Sequence, residues 1–180
     1  MYQDALLIGL DIGTSRAKAI LVNSAGRTIA RSTKCYNRVR ISDSAIEQDA
    51  EEWWEAASSL IRELTRKVPD GQKIIALSIS TQGGSLVLTD RQGVPLAPAV
   101  IWQDQRGTSV NHLVLRKLSS ENVHQKTGWM LGKSLNLLQL LRIRETDSAL
   151  FHQRQLSFAD DFPAFIRQLD MQADHIRCFK

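Results

Sequence analysis

The sequence predicts an α/β domain built on a mixed sheet, and three observations carry that expectation. Short apolar runs near its start are joined by tight turns, one long segment with a helical period follows, and further strand-like runs come after it. Tight connections join antiparallel neighbours, whereas parallel strands need a longer crossover, usually a helix.

The first strand is expected over Leu6 to Asp11, an apolar run ended by Asp-Ile-Gly-Thr-Ser. A second, mostly alternating, spans about Ala17 to Val22. The turn Asn23-Ser24-Ala25-Gly26 leads to a third over Arg27 to Thr33. From Asp49 to Lys67 the period becomes helical, with Trp53, Ala56, Ala57, Leu60, Ile61 and Leu64 on one face. Glu51, Glu52 and Glu55 crowd its first turns, where the helix dipole favours acids, and Pro69-Asp70-Gly71 ends it. Strands over Ile74 to Ser80 and Ser85 to Thr89 follow, with a turn at Asp90 to Gly93. Beyond Trp102 the apolar positions of Leu113 to Leu118 and Leu135 to Ile143 read as helices around Lys126-Thr127-Gly128. Leu156 to Ala159 reads as a last short strand.

At 180 residues the chain is long enough for one core and too short to expect two domains. Its 43% hydrophobic and 23% charged residues are ordinary for a globular protein. No apolar run approaches the roughly 20 residues of a membrane span, so no membrane partner and no signal peptide are expected. Cys35 and Cys178 lie far apart without metal-ligand spacing, and a reducing cytoplasm is the default. The net charge of +4 is spread along the chain without a basic run, which argues against nucleic acid and suits an anionic ligand. His112, His124, His152 and His175 share no metal-binding spacing, and Trp53 and Trp54 read as helix packing.

Two constellations could carry chemistry. In the first, Gly13 permits a tight turn after a buried strand, and Thr14 and Ser15 offer hydroxyls and amides to phosphate oxygens. Asp11 could hold a divalent cation through water, and Lys18 would add positive charge if it returned to the same side. An ordinary hairpin with a polar turn would carry the same residues. In the second, Gln82, Gly83 and Gly84 follow one strand, and Trp102, Asp104 and Arg106 follow another. Adjacent glycines admit a close ligand, Gln82 and Asp104 could bind hydroxyls, Trp102 could stack on a sugar face, and Arg106 could orient the carboxylate. A loop with an Asp–Arg surface pair accounts for the residues equally well.

Their order goes further. Asp11-Ile12-Gly13-Thr14-Ser15 with Lys18, Glu47-Gln48-Asp49 before a tryptophan-bearing helix, Ile79 to Gly83, and Ile101 to Arg106 stand in a sequence that resembles the FGGY carbohydrate kinases. Thr127-Gly128 with Leu131, Ser134, Leu138, Leu141 and Phe151, then Leu156 to Asp160, extend the resemblance over about residues 5 to 162. It implies a ribonuclease H-like, actin-like ATPase domain with a mixed five-stranded sheet and flanking helices. By that resemblance Asp11 lies near magnesium, and Gly13, Thr14, Ser15 and Lys18 face the phosphates of ATP. Gln82, Gly83, Gly84, Trp102, Asp104 and Arg106 then lie at or behind the pocket of a sugar or polyol whose hydroxyl is phosphorylated.

Residues 1–162 are accordingly expected to form an incomplete N-terminal kinase domain, and 163–180 an unmatched tail. The family's catalytic Asp is expected beyond Lys180, so the chain alone is expected to be inactive and prone to self-association. A non-catalytic sugar-binding remnant stays open as the alternative. Gly83-Gly84 matches neither the Arg-Glu of glycerol kinases nor the Met-His of xylulokinases, which leaves a mild lean toward a pentulose. ROK sugar kinases and actin-like structural proteins find no support in these motifs.

Overall fold

The computed structural model describes residues 5–37, 39–131, 136–153 and 155–158, the last four as backbone. Instead of one core, these residues form two compact units, 5–37 with 50–82 and 39–49 with 83–158.

The first unit is a four-stranded mixed sheet under one helix. Its strands are β1 (Ala5–Ile12), β2 (Arg16–Asn23), β3 (Thr28–Cys35) and β6 (Lys73–Thr81), in the order β3-β2-β1-β6. The expected antiparallel meander is present, and β6 lies parallel beside β1 after the crossover through helix α1 (Ala50–Thr65). Alternation fixes the faces. Leu6, Ile8, Leu10 and Ile12 of β1 and Ala17, Ala19 and Leu21 of β2 are buried, and the register pairs Ile8 with Leu21, Leu10 with Ala19 and Ile12 with Ala17. Helix α1 packs mainly over β2 and β3 and buries Trp53, Ala56, Ala57, Leu60, Ile61 and Leu64, the face expected from its period. Ser32 Oγ on β3 donates to Glu63 of α1 at 2.6 Å, tying the helix to the sheet.

The second unit holds a five-stranded antiparallel sheet in the order β4-β5-β8-β7-β9 and a set of short helices. Strands β7 (Leu86–Thr89) and β9 (Gln155–Phe158) match the expected segments, with Ala159 outside the described residues. Strands β4 (Val39–Arg40), β5 (Ile46–Gln48) and β8 (Ala99–Val100) were not anticipated, and the strands divide between two sheets where one of five was expected. Two- and three-residue strands show no period. They exist because Glu47 pairs with Val100 more than fifty residues away.

A 3-10 turn at Arg106–Val110 leads into α2 (Asn111–Leu115), then α3 (Ser120–Thr127), α4 (Asn136–Thr146) and α5 (Ser148–Gln153). Helix α3 is capped by Ser119, whose Oγ accepts from Asn122 N, and ends at Gly128. Val110, Val114, Val123 and Leu138 form one core cluster; Leu86, Leu88, Val100 and Ile143 form another.

The α1 face is the support of the first sheet. Leu60 is 0% exposed, so Leu60→Ala is expected to cost about 2–5 kcal/mol in urea unfolding. Ile20, 42% exposed on the opposite face, should cost under about 1 kcal/mol when cut to alanine.

Candidate functional site

In the first unit the hairpin register sets Asp11 directly across from Lys18. Because the alternate residues are buried, both side chains stand on the opposite face, with Lys18 Nζ 3.9 Å from Asp11 Oδ2. They are 57% and 49% exposed, so the pair is loose and reachable from solvent. Lys18 therefore does return to the side of Asp11.

The intervening turn is closed by Gly13 N donating to Arg16 O at 3.1 Å. Gly13 is needed here for space: a Cβ would meet Arg16 O at 3.3 Å. Thr14 is half-buried, Ser15 is exposed, and Gln82 is buried at the end of β6, its amide donating to Ile12 O at 2.8 Å. A neighbour that sequence reasoning missed is Tyr36, just past β3. Its hydroxyl donates to Gly13 O and its amide donates to Ser15 O. Burial, and then the charge of Asp11, push its phenol well above the ordinary tyrosine range.

In the second unit Gly83 is exposed, and no neighbour would meet a Cβ there, whereas Gly84 takes a φ of +73°. The Trp102–Arg106 loop is strapped to the 44–47 segment. Gln105 N donates to Ser44 O at 2.8 Å, and Ile46 N donates to Asp104 Oδ2 at 2.9 Å. Asp104 is 0% exposed. Its Oδ1 accepts from the Arg106 amide at 2.9 Å and from Gln139 Nε2 at 3.2 Å, and Arg106 Nε bridges both oxygens. Arg106 reaches on to Glu47 Oε1 at 2.5 Å. Burial raises the Asp104 carboxyl, but the hydrogen bonds of Arg106 and the Ile46 amide outweigh it and leave the group below the ordinary aspartate range.

Asp104 was expected at or behind a sugar pocket, where it could bind a hydroxyl; the bonds described here run to the protein. A carboxylate this enclosed is fully engaged by the protein, and it shapes the loop that presents Trp102. Arg106 does orient it, as expected. Trp102 itself is 42% exposed, on the loop that these bonds tie down.

Helix α4 completes this frame. A Cβ on Gly107 would lie 3.1 Å from Leu138 Cβ and 3.2 Å from the Gln139 amide, so the helix approaches as closely as glycine permits. Gln139 Oε1 accepts from Arg142 Nε at 3.2 Å. A buried glutamine inside the apolar run Leu137 to Leu141 was the available signal for this contact. His112, His124 and His152 are exposed, as is Cys35; His175 and Cys178 lie outside the described residues. No helix among the described residues is long and apolar enough to cross a membrane.

The model for the FGGY family of carbohydrate kinases, N-terminal domain, matches residues 6–161. The xylulose kinase of Klebsiella pneumoniae is 30% identical over 148 residues, covering 82% of this chain and 30% of the relative. The glycerol kinase of Alcanivorax borkumensis is 32% identical over 137 residues, covering 74% and 27%. Among solved structures, xylulose kinase from Rhodospirillum rubrum superposes with a TM-score of 0.83 at 23% identity, over 91% of this chain and 33% of that one. Gluconate kinase from Lactobacillus acidophilus gives 0.80 at 24%, over 90% and 32%. These structural likenesses establish the actin-like α/β fold. The chain spans about a third or less of the length of these relatives.

The frame around Asp104 predicts a pH-dependent defect. Asp104→Asn should cost about 3 kcal/mol at neutral pH, because it leaves Arg106 with half its counter-charge. A depressed carboxyl contributes stability that is present above its unfolded value of about 3.9 and is lost as pH falls through the folded one. Urea unfolding should thus show a constant gap between wild type and variant from about pH 5 to 8. The gap should shrink below about pH 4.

Proposed function

The chain belongs to the FGGY family of carbohydrate kinases, and from that premise we propose that the protein transfers the γ-phosphoryl group of ATP to a hydroxyl of a small sugar or polyol. The observation that carries the reading is the Asp11–Lys18 pair, loose and half-exposed, at the end of a turn whose backbone is held in place. An anionic oxygen at a strand end suits a hydrated magnesium ion, since hard cations take oxygen ligands and keep water. In this reading Asp11 would hold that ion, and Gly13, Thr14, Ser15 and Lys18 would face the phosphates. Magnesium would supply neutralisation of charge on the phosphates during transfer.

The acceptor would rest against Trp102, with Gly83 and Gly84 admitting it closely. Gln82, Asp104 and Arg106 are buried or half-buried supports in this reading. We propose a pentulose as acceptor, a reading supported by the xylulose kinases among the relatives. The similar glycerol kinases make a polyol the competing acceptor. None of the 180 residues is assigned the base that takes the hydroxyl proton, and the chain alone is proposed to bind without turnover. A cytoplasmic location belongs to the same reading. So does weak self-association, supported by the exposed Trp129, Met130 and Leu137.

Thermal melting against ketopentoses, polyols and aldonates, with and without Mg-ATP, tests the assignment through ligand linkage. A pentulose should raise the midpoint, Asp11→Asn should remove the Mg-ATP shift alone, and Trp102→Ala should remove the sugar shift alone. Absence of any shift in wild type refutes the reading, and sugar-dependent ADP release from the chain refutes its inactivity. For self-association, mass should rise across a sedimentation concentration series; a constant monomer mass excludes it.

A further inference from the structure

We propose that Tyr36 is a positioning residue for the phosphate-facing turn, an inference that rests on the kinase reading above. Its support is the way the turn's carbonyls are disposed. A backbone that receives an anion must keep its carbonyl oxygens turned away, because they repel the ligand that the amides attract. Between Ile12 and Arg16, four carbonyls are committed to donors of the protein itself. Ile12 O takes the Gln82 amide, Ser15 O the Tyr36 amide, Arg16 O the Gly13 amide, and Gly13 O the Tyr36 hydroxyl.

The peptide group is planar and trans, so the carbonyl of one residue and the amide of the next point in opposite directions. Anchoring Gly13 O to Tyr36 therefore fixes the direction of the Thr14 amide, and anchoring Ser15 O fixes that of Arg16. Tyr36 supplies both anchors, and its hydroxyl is the one side-chain donor in the set.

Topology explains why a residue twenty positions downstream does this. Cys35 pairs with Arg16 in the β2–β3 register, so Tyr36 falls opposite Ser15, level with the turn. The residue after it is tied to the helix: Asn37 N donates to Glu52 Oε2 of α1 at 2.8 Å.

The test uses the purified 180-residue chain and magnesium tripolyphosphate, followed by titration calorimetry at a temperature where every variant is folded. Tyr36→Phe is expected to weaken binding about fivefold to tenfold, the loss of one hydrogen bond's worth of positioning. Ser32→Ala breaks a different β3 bond, to Glu63, and should lower the melting midpoint with affinity unchanged. A Tyr36→Phe chain that binds within twofold of wild type overturns the role of Tyr36 while leaving the phosphate site standing. Wild type that binds no tripolyphosphate overturns the phosphate reading and the role of Tyr36 together.

A second readout needs no variant. The sequence has two tyrosines, Tyr2 and Tyr36. With 3-fluorotyrosine incorporated, the Tyr36 fluorine resonance should move on addition of magnesium tripolyphosphate. A Tyr36 resonance that does not respond, in a chain that binds, overturns the proposal.

Discussion

The first unit depends on the two-residue period of β1. Once Leu6, Ile8, Leu10 and Ile12 are buried, every intervening residue must stand on the other face, and a slip by one position would invert the whole set. That constraint sends Asp11 outward. Pairing with β2 under the same rule brings Lys18 to it, since burying Ala17, Ala19 and Leu21 leaves no other choice of face. The charged pair is thus a by-product of apolar packing. A sheet that must hide seven apolar residues presents a carboxylate and an ammonium at its end with no further instruction.

The second unit is organised around a different feature, a loop tied at several points. Its device is a buried carboxylate. Asp104 gathers the amides of Ile46 and Arg106, the guanidinium of Arg106 and the amide of Gln139 around one group, and so joins three stretches of chain distant in sequence. Burying an ion is unfavourable unless its oxygens are satisfied, and here they are, with Arg106 shared onward to Glu47. Gly107 lets α4 come close to this frame, since a Cβ there would lie 3.1 Å from Leu138 Cβ.

These two designs were unequally visible in the sequence. Strands β1, β2, β3 and β6 and helix α1 were legible because each carries its own period, and hairpin turns announced the meander. The Asp11–Lys18 meeting was foreseen as a condition, and only the register met it. The burial of Asp104 was hidden, because a carboxylate in a loop reads the same whether it faces solvent or Gln139. Tyr36 carried no local signal at all. Its importance comes from where the β2–β3 ladder ends, a property of two strands together. The short strands β5 and β8 were hidden for the same reason: three residues gain meaning only from two partners far along the chain.

The interleaving of the two units also sets an order of events during synthesis. The described part of the first unit is complete in sequence once Gln82 has emerged: its β1–β2–β3 meander joins sequence neighbours, and its α1–sheet and β1–β6 contacts close longer loops. The second unit begins earlier, at residue 39, where β4 and β5 can pair at once, yet β5 lacks its other neighbour until Ala99 and Val100 arrive, and Asp104 lacks Gln139 until α4 follows. Non-local pairing is slow because the loop must close before the contact rewards it. The nascent chain can therefore complete the first sheet while 39–49 still waits for Ala99 and Val100. A stall in translation between about residues 82 and 139 would release a chain with a finished hairpin sheet and an unclosed second unit, the form in which chaperones would meet it.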